Sequence, residues 1–421
     1  MSARQLSIVI PALNERNNIV KLIPALKAAM PADVTDYEIV VIDGHSHDGT
    51  PGVAEELGAR VVAQTGPGYG GALREGFTQA RGEYVLTLDA DLSHSPSFLP
   101  AMWEARAEAE VVIASRYAPG GAADMPCFRR VLSRILNFVF CRGLSLPVHD
   151  VSSGFRLYKA SVLHAMPLQS VHFDVLEEIL IQAQAQGWRI TEVPFRYEAR
   201  RGGRSHVKLF KFGWAYLKTL LRMWRLRNSI DSADYDYRAY DSIVPLQRYW
   251  QRTRHKIIVD FARGAGKTLD IGCGSSRILL SLKNAIGVDV QMGKIRYMRG
   301  RGARGLVGSA FALPFPDESF DCVISSQVIE HLPDDPILFA EMVRLLKPAG
   351  RLIVGTPDYG GLAWPIIEFF YARLAPGGYA DEHVTHYTRH SLEQRLKQYG
   401  VECRAIGWVG RAEMILQCVK V

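Results

Sequence analysis

Two separate series of strand-length apolar runs, each alternating with helix-period segments, constrain this chain more than any other feature. The first occupies residues 6–11, 38–43, 60–63, 84–89 and 111–115; the second occupies 268–272, 285–289, 320–325 and 351–356. Strands separated by helices pair most readily in parallel, so each series predicts βαβ units and a sheet covered on both faces. A chain of 421 residues also exceeds what one hydrophobic core usually serves. Two α/β domains are expected, divided within the Ser-, Asp- and Tyr-rich stretch 228–245. The predicted limits are 1–228 for the first domain, 229–250 for a linker and leading helix, and 251–421 for the second.

The net charge of +7 is unevenly spread. Residues 196–227 hold ten Lys or Arg against one acid, Glu198, a local +9 that leaves −2 for the rest. Basicity confined to a patch argues against a general nucleic-acid binder and for one surface that faces phosphate or phospholipid. Within the patch, segment 208–227 places Lys211, Lys218, Arg222 and Arg225 on a narrow helical face. Leu209, Phe210, Phe212, Trp214, Leu217, Leu220, Leu221 and Trp224 occupy the broader, opposite one. Such a helix suits the headgroup region of an anionic membrane; packing of the same apolar face onto the sheet or the second domain is the alternative. No apolar run reaches the length of a membrane span, and the first strand is stopped by Pro11, Asn14 and Glu15, too early for a secretory signal. The six cysteines form no CxxC pair and have no histidine at metal spacing, so neither a zinc site nor a disulfide framework is expected. A cytoplasmic protein, peripheral on the cytoplasmic membrane face, fits these features.

Candidate chemistry gathers where the first-half strands end. Pro11-Ala12-Leu13-Asn14-Glu15 follows the first strand, Asp43-Gly44-His45-Ser46-His47-Asp48-Gly49-Thr50 the second, and Asp89-Ala90-Asp91-Leu92-Ser93-His94-Ser95-Pro96 the fourth. Parallel sheets open ligand crevices at these carboxyl ends. Two carboxylates one residue apart can approach a hard divalent cation together, and that cation neutralises charge building on a diphosphate leaving group. A bare triplet of this kind is as often a helix cap or solvated turn, so its position after two other strand-end loops carries the weight. Further along stand Ser115-Arg116-Tyr117, Arg129-Arg130 with Ser133 and Asn137, Asp150-Val151-Ser152-Ser153-Gly154-Phe155-Arg156, and Arg200-Arg201-Gly202-Gly203-Arg204-Ser205-His206.

Taken in order, these segments resemble the family 2 inverting glycosyltransferases that include dolichyl-phosphate mannose synthase, over nearly all of residues 5–227. The resemblance implies a GT-A-type, Rossmann-like nucleotide-sugar domain. It implies Pro11, Leu13, Glu15 and Asp43 around the nucleotide, and a DxD site at Asp89 and Asp91 for Mg2+ or Mn2+. The reaction it implies is transfer of mannose or another hexose from a GDP- or UDP-linked sugar to a polyprenyl phosphate. An acceptor phosphate is already ionised and needs cationic clamping rather than a base; Arg116 and Arg130 are the expected clamp. A solvated helix face is the alternative for Arg129 and Arg130, because adjacent helical residues do not face one ligand. Asp150 resembles the acid that contacts acceptor or donor in relatives, with a cap or turn role as the alternative. Arg200 and His206 are expected over the donor diphosphate, where glycines allow close backbone approach. Three positions depart from the family pattern: Gly44 replaces a second Asp, Ser93 a further metal-facing side chain, and His206 a Lys.

In the second half, Thr268-Leu269-Asp270-Ile271-Gly272-Cys273-Gly274 ends a strand, and Asp289 closes the next one, where an acid accepts ribose hydroxyls. A glycine loop alone would suit a dinucleotide enzyme equally well. Residues 313–321, 326–332 and 345–350 decide between the two, since together they resemble the later motifs of class I S-adenosylmethionine-dependent methyltransferases, over roughly 234–421. The resemblance implies a second Rossmann-like domain that binds S-adenosyl-L-methionine through Asp270, Gly272, Gly274, Asp289, Ser309, Ala310 and Gln327. Ser309 stands where an Asp usually meets the adenine amine. Asp381-Glu382-His383-Val384-Thr385-His386-Tyr387 is the candidate region for a base, with a structural or substrate-orienting role favoured; Glu330 and His331 are expected to shape the pocket. The expected protein is a bifunctional enzyme whose two steps serve one envelope-lipid or glycan pathway. Sugar transfer to a glycan or protein hydroxyl, which would need a carboxylate base, is one alternative. A membrane-surface scaffold with inactive nucleotide-binding folds is another.

Overall fold

The computed structural model describes residues 4–164, 166–197, 209–374 and 383–421. The chain divides into two compact units, Met1–Gln184 with Trp188–Arg225, and Leu226–Val421 with Ala185–Gly187. Residues 229–250, expected as a linker and leading helix, therefore belong to the second unit. Arg227, counted in the basic stretch, is fully buried there: Nη1 and Nη2 donate to the two carboxylate oxygens of Asp234 at 2.6 and 2.7 Å.

The first unit contains β1 (Arg4–Ala12), β2 (Tyr37–Asp43), β3 (Arg60–Ala63), β4 (Gly82–Thr87), β5 (Val111–Ser115), β6 (Ala122–Ala123), β7 (Arg156–Lys159), β8 (Ile190–Pro194) and β9 (Arg196–Tyr197). Seven of them form one sheet in the order β3-β2-β1-β4-β7-β5-β8, and β6 and β9 form a separate pair. Ile8, Val9 and Ile10 of β1 are completely buried, as a central strand covered on both faces requires. The helix Arg16–Ala28 buries Ile19, Leu22, Ile23 and Leu26, spaced as one helical face. The expected all-parallel sheet is corrected at β7, which runs antiparallel to both β4 and β5. Its sequence, RLYK, offers no apolar run because Arg156 is itself buried and donates from Nη1 to the Leu176 carbonyl at 2.6 Å.

The second unit is built on β10 (Thr268–Ile271), β11 (Ala285–Asp289), β12 (Arg304–Val307), β13 (Phe320–Ser326), β14 (Leu346–Pro357), β15 (Val401–Val409) and β16 (Glu413–Lys420), ordered β12-β11-β10-β13-β14-β16-β15. The strands pair in parallel up to β14, and β16 is antiparallel to both β14 and β15. Cys403 and Cys418 face each other across that last pair with sulfurs 2.7 Å apart, both as free cysteines. Scattered spacing in the sequence thus concealed one cysteine pair.

Gly287 on β11 sits where a Cβ would approach Cys273 Sγ to 2.5 Å and Leu279 Cδ1 to 2.6 Å. Gly287→Ala is expected to destabilise the second unit by about 1–3 kcal/mol through overpacking, read as a lowered midpoint in denaturant unfolding.

Candidate functional site

In the first unit the loops after β1 and β2 brace one another. Asn14 N–H donates to Ser46 Oγ at 2.8 Å, His47 N–H to Asn14 Oδ1 at 2.9 Å, and Arg16 N–H to Asp48 Oδ2 at 3.1 Å. Asn14 holds a φ of +56°, a left-handed backbone that asparagine tolerates. Glu15 donates its N–H to Thr50 Oγ1 and accepts from Asn18 Nδ2. Asp43 is buried; Oδ2 accepts from Ser46 N–H at 3.0 Å, and Oδ1 accepts from no described residue. Pro11 and Leu13 flank this turn, and Leu13 is exposed.

Asp89 and Asp91 follow β4 and have different surroundings. Asp89 keeps about a third of its side chain accessible and accepts a hydrogen bond from Tyr69 at 3.0 Å. Asp91 is buried and oriented by Ser93, whose N–H and hydroxyl both donate to Oδ1, at 3.0 and 2.5 Å. Ser93, a departure from the family pattern, therefore positions Asp91. His94 lies beneath the pair, stacked on Phe155 and edge-on to Phe195 and Tyr197. Burial, opposed in part by Asp89 and Asp91, lowers its pKa below the ordinary value, so the ring is neutral near pH 7 and Nδ1 accepts from the Asp89 N–H at 3.1 Å. Gly154 comes close to the same carboxylate: a Cβ there would lie 2.9 Å from the Tyr69 hydroxyl and 3.4 Å from Asp89 Oδ1. A hard, all-oxygen donor pair beside so little side-chain bulk fits Mg2+ or Mn2+.

Arg116 is less open than a phosphate clamp requires. Nε and Nη2 donate to the two oxygens of Asp150 at 2.7 and 2.8 Å, and Nη2 also reaches Ser152 Oγ at 2.8 Å. Asn137 Nδ2 donates to the same hydroxyl at 3.2 Å, and its Oδ1 accepts from Val151 N–H at 2.6 Å. Asp150 thus acts as the counter-ion of Arg116, and Oδ1 also accepts from Ser152 N–H at 3.2 Å, a turn contact. Arg130 is exposed on the helix Cys127–Gly143, together with Phe128, Val131, Leu132, Ile135, Phe138 and Val139. Trp214, Leu217, Leu221 and Trp224 of the helix Leu209–Arg227 are exposed too, while Thr219 and Met223 are buried. Arg200 and His206 lie outside the described residues. Tyr69 went unnoticed in the sequence; the clue was its place in the glycine-rich run 66–71, where added Cβ atoms would meet the 170–171 backbone.

In the second unit, Asp270, Gly272, Gly274, Asp289, Ser309, Ala310 and Gln327 line one cavity of about 790 Å3. Gly272 and Gly274 adopt φ of +66° and +54°, and a Cβ on Gly272 would lie 2.2 Å from Val328 Cγ2. Asp289 accepts from Gly274 N–H through Oδ2 and from Gln291 N–H through Oδ1, both at 2.8 Å. Burial and the neighbouring Asp289 push the Asp270 carboxyl up to about 8. Asp270 Oδ2 and Gln327 Nε2 are buried without a partner among the described residues, so this cavity retains an acceptor and a donor for a bound molecule. Tyr235, Asp236 and Tyr240, from the stretch expected as linker, also line it. His331, His383 and Glu368 line it as well, whereas Asp381 and Glu382 lie outside the described residues.

Residues 7–166 match Glycosyl transferase family 2, and residues 269–354 match the Methyltransferase domain family. An uncharacterized glycosyltransferase of Mycobacterium tuberculosis is 31% identical over 207 residues, 49% of this chain and 91% of that protein. The chain belongs to glycosyl transferase family 2. Its family 2 domain is also 32% identical, over 238 residues, to dolichol-phosphate mannosyltransferase of Pyrococcus furiosus, covering 54% of this chain and 66% of that relative. Among solved structures, glucosyl-3-phosphoglycerate synthase of M. tuberculosis with Mn2+ and UDP shares 23% identity, covering 52% of this chain and 80% of that one, with a TM-score of 0.43. A SAM-dependent methyltransferase of Thermotoga maritima shares 21%, covering 44% and 96%, with a TM-score of 0.38. By its two family matches the protein is an enzyme carrying a glycosyltransferase domain and a methyltransferase domain.

The Asp150 carboxyl is fully buried, and although burial opposes ionisation, its hydrogen bonds and ion pair with Arg116 hold its pKa below the ordinary 3.8. A depressed folded value means stability that is present above pH 3.8 and lost as pH falls through the lower, folded value. Asp150→Asn leaves Arg116 uncompensated and is expected to cost about 3–5 kcal/mol at pH 7. Urea titrations at pH 7 and across the acid range should show that loss shrinking as the wild-type carboxyl protonates.

Proposed function

We propose that the family 2 domain transfers a hexose, with inversion, from a nucleotide sugar to a polyprenyl phosphate. The observation that carries this reading is the Asp89–Asp91 pair at the end of β4, one member open and the other locked by Ser93, in a domain similar to a dolichol-phosphate mannosyltransferase. A divalent cation on these carboxylates supplies charge neutralisation for the departing nucleoside diphosphate. The chain's own residues do the rest: Asp43 and Glu15, with Pro11 and Leu13, receive the nucleoside, and Tyr69 and His94 fix Asp89. An anionic acceptor requires no base, in keeping with the commitment of Asp150 to Arg116. Arg130, exposed, meets the acceptor phosphate, and Arg116, with two donor groups already on Asp150, positions the acceptor loop.

The methyltransferase domain transfers a methyl group to an acceptor yet to be identified. S-adenosylmethionine supplies the sulfonium methyl; Asp289 receives the ribose, the Gly272–Gly274 backbone passes the methionine portion, and Ser309, Ala310 and Gln327 bound the adenine end of the cavity.

Attachment to an anionic membrane surface is the third part of this reading. No helix among the described residues is long and apolar enough to cross a membrane. The exposed stripes on Cys127–Gly143 and Leu209–Arg227, interleaved with Arg129, Arg130, Arg134, Lys218 and Arg225, suit insertion at the headgroup level, where a polyprenyl phosphate would be presented.

Incubation of the full chain with GDP- and UDP-sugars and a polyprenyl phosphate, followed by mass analysis of the lipid, should reveal a hexosyl phosphate lipid only when Mg2+ or Mn2+ is present. Asp91→Asn should lower that rate by about 100-fold or more, as loss of transition-state charge stabilisation predicts; turnover unchanged by chelation would refute the cation role. Sedimentation with phosphatidylglycerol vesicles should fall for Trp214→Ala/Trp224→Ala and for Phe128→Ser/Phe138→Ser, with phosphatidylcholine vesicles binding weakly throughout. Equal retention of all three proteins would remove the membrane reading.

A further inference from the structure

Glu330, His331 and His383 lie 53 residues apart at the extremes, yet one donor atom from each falls within 4.8 Å of the others. Three backbone and side-chain bonds hold the two segments together. Val384 and Thr385 N–H donate to the Glu330 carbonyl at 2.8 and 3.0 Å, and Thr385 Oγ1 donates to the Leu332 carbonyl at 2.7 Å. The His331 and His383 rings lie 4.8 Å apart between centroids. Glu330 is completely buried; Thr356 donates to Oε2 at 3.1 Å, and Oε1 accepts from no described residue. A buried carboxylate oxygen with uncommitted lone pairs normally calls for a cation or a donor.

The surroundings of His383 point the same way. Nδ1 lies 2.7 Å from the Tyr359 hydroxyl and 3.2 Å from Glu368 Oε1, and Tyr359 itself donates to Glu368 at 2.8 Å. A tyrosine hydroxyl that donates to the carboxylate accepts from Nδ1–H, which assigns the proton to Nδ1 and leaves the Nε2 lone pair for a ligand. A carboxylate bonded to the far nitrogen of an imidazole is the arrangement that orients metal-binding histidines and raises their basicity.

We propose that Glu330, His331 and His383 bind a divalent first-row transition-metal ion at one side of the methyltransferase cavity, with open positions for an oxygen of the methyl acceptor. Two imidazoles and a carboxylate suit Zn2+, Mn2+, Fe2+ or Co2+ rather than Ca2+. His331 and His383 line the cavity that also holds Gly272, Asp289 and Gln327, so an acceptor oxygen on the ion would share that cavity with the cofactor. The acceptor part of this inference rests on the methyltransferase reading; the metal site does not.

The test uses the metal alone. In full-length protein carrying Asp89→Asn/Asp91→Asn, which removes the other carboxylate pair, calorimetric titration with Zn2+ and absorption spectra with Co2+ should show one bound ion with imidazole coordination. Adding His383→Ala or Glu330→Gln should abolish that binding, and Glu368→Gln should weaken it about 10–100-fold. The metal-free unfolding midpoint of each variant reports folding; His383→Ala, at the cavity edge, covers the case in which Glu330→Gln fails to fold. Equal affinity with and without His383, or a Co2+ spectrum of oxygen ligands only, overturns the proposal. S-adenosylmethionine titration, run separately, distinguishes failure of the metal site from failure of the methyltransferase reading.

Discussion

Both units depend on one geometric constraint, a parallel ladder whose strand order reverses beside its first strand. In the first unit β1 pairs with β2 on one side and β4 on the other; in the second, β10 lies likewise between β11 and β13. Strands on the two sides of such a point send their following chains to opposite faces, which opens a crevice at the carboxyl ends. At the first reversal Asp43 ends β2 and Asp89 and Asp91 follow β4; at the second Asp289 ends β11, and Gly272 and Gln327 follow β10 and β13. The completely buried β1 core, Ile8 to Ile10, is therefore also the foundation of the aspartate site.

The electrostatics of the two crevices differ in how buried charge is compensated. Around Asp89 and Asp91, compensation is local and partial: hydroxyls from Tyr69 and Ser93, and a neutral His94 held down by burial. Arg116 contributes little free charge, because Asp150 takes two of its donor groups. In the second unit the buried carboxyl groups are left less satisfied. Asp270 and Glu330 are both pushed up to about 8, chiefly by burial, and each keeps one oxygen without a described partner. Such groups destabilise an empty site and favour a bound cation or donor, which is how a fold stores binding energy at a functional position.

The helix Leu209–Arg227 illustrates how a periodic pattern leaves the meaning of its faces open. Periodicity alone allowed its apolar face to pack inward or to meet lipid. In the folded unit the contact side is instead Thr219 and Met223, with Thr219 bonded to Asp174, and Trp214, Leu217, Leu221 and Trp224 remain outside. The helix Cys127–Gly143 repeats that arrangement with Asn137 and Phe140 as its buried anchors.

What the sequence determined by itself was local. Alternating apolar runs and strand-end loops are short-range patterns, so the two α/β domains and the places of Asp89, Asp91, Gly272 and Asp289 at strand ends were legible in the sequence. The antiparallel strands were not, since hydrogen-bond direction leaves no mark on a four-residue run such as RLYK, whose arginine is buried. Nor were the partners of Arg116 and Asp89, or the meeting of Glu330 and His331 with His383. Those contacts join residues 20 to 53 positions apart, and only the folded backbone brings their side chains within bonding distance.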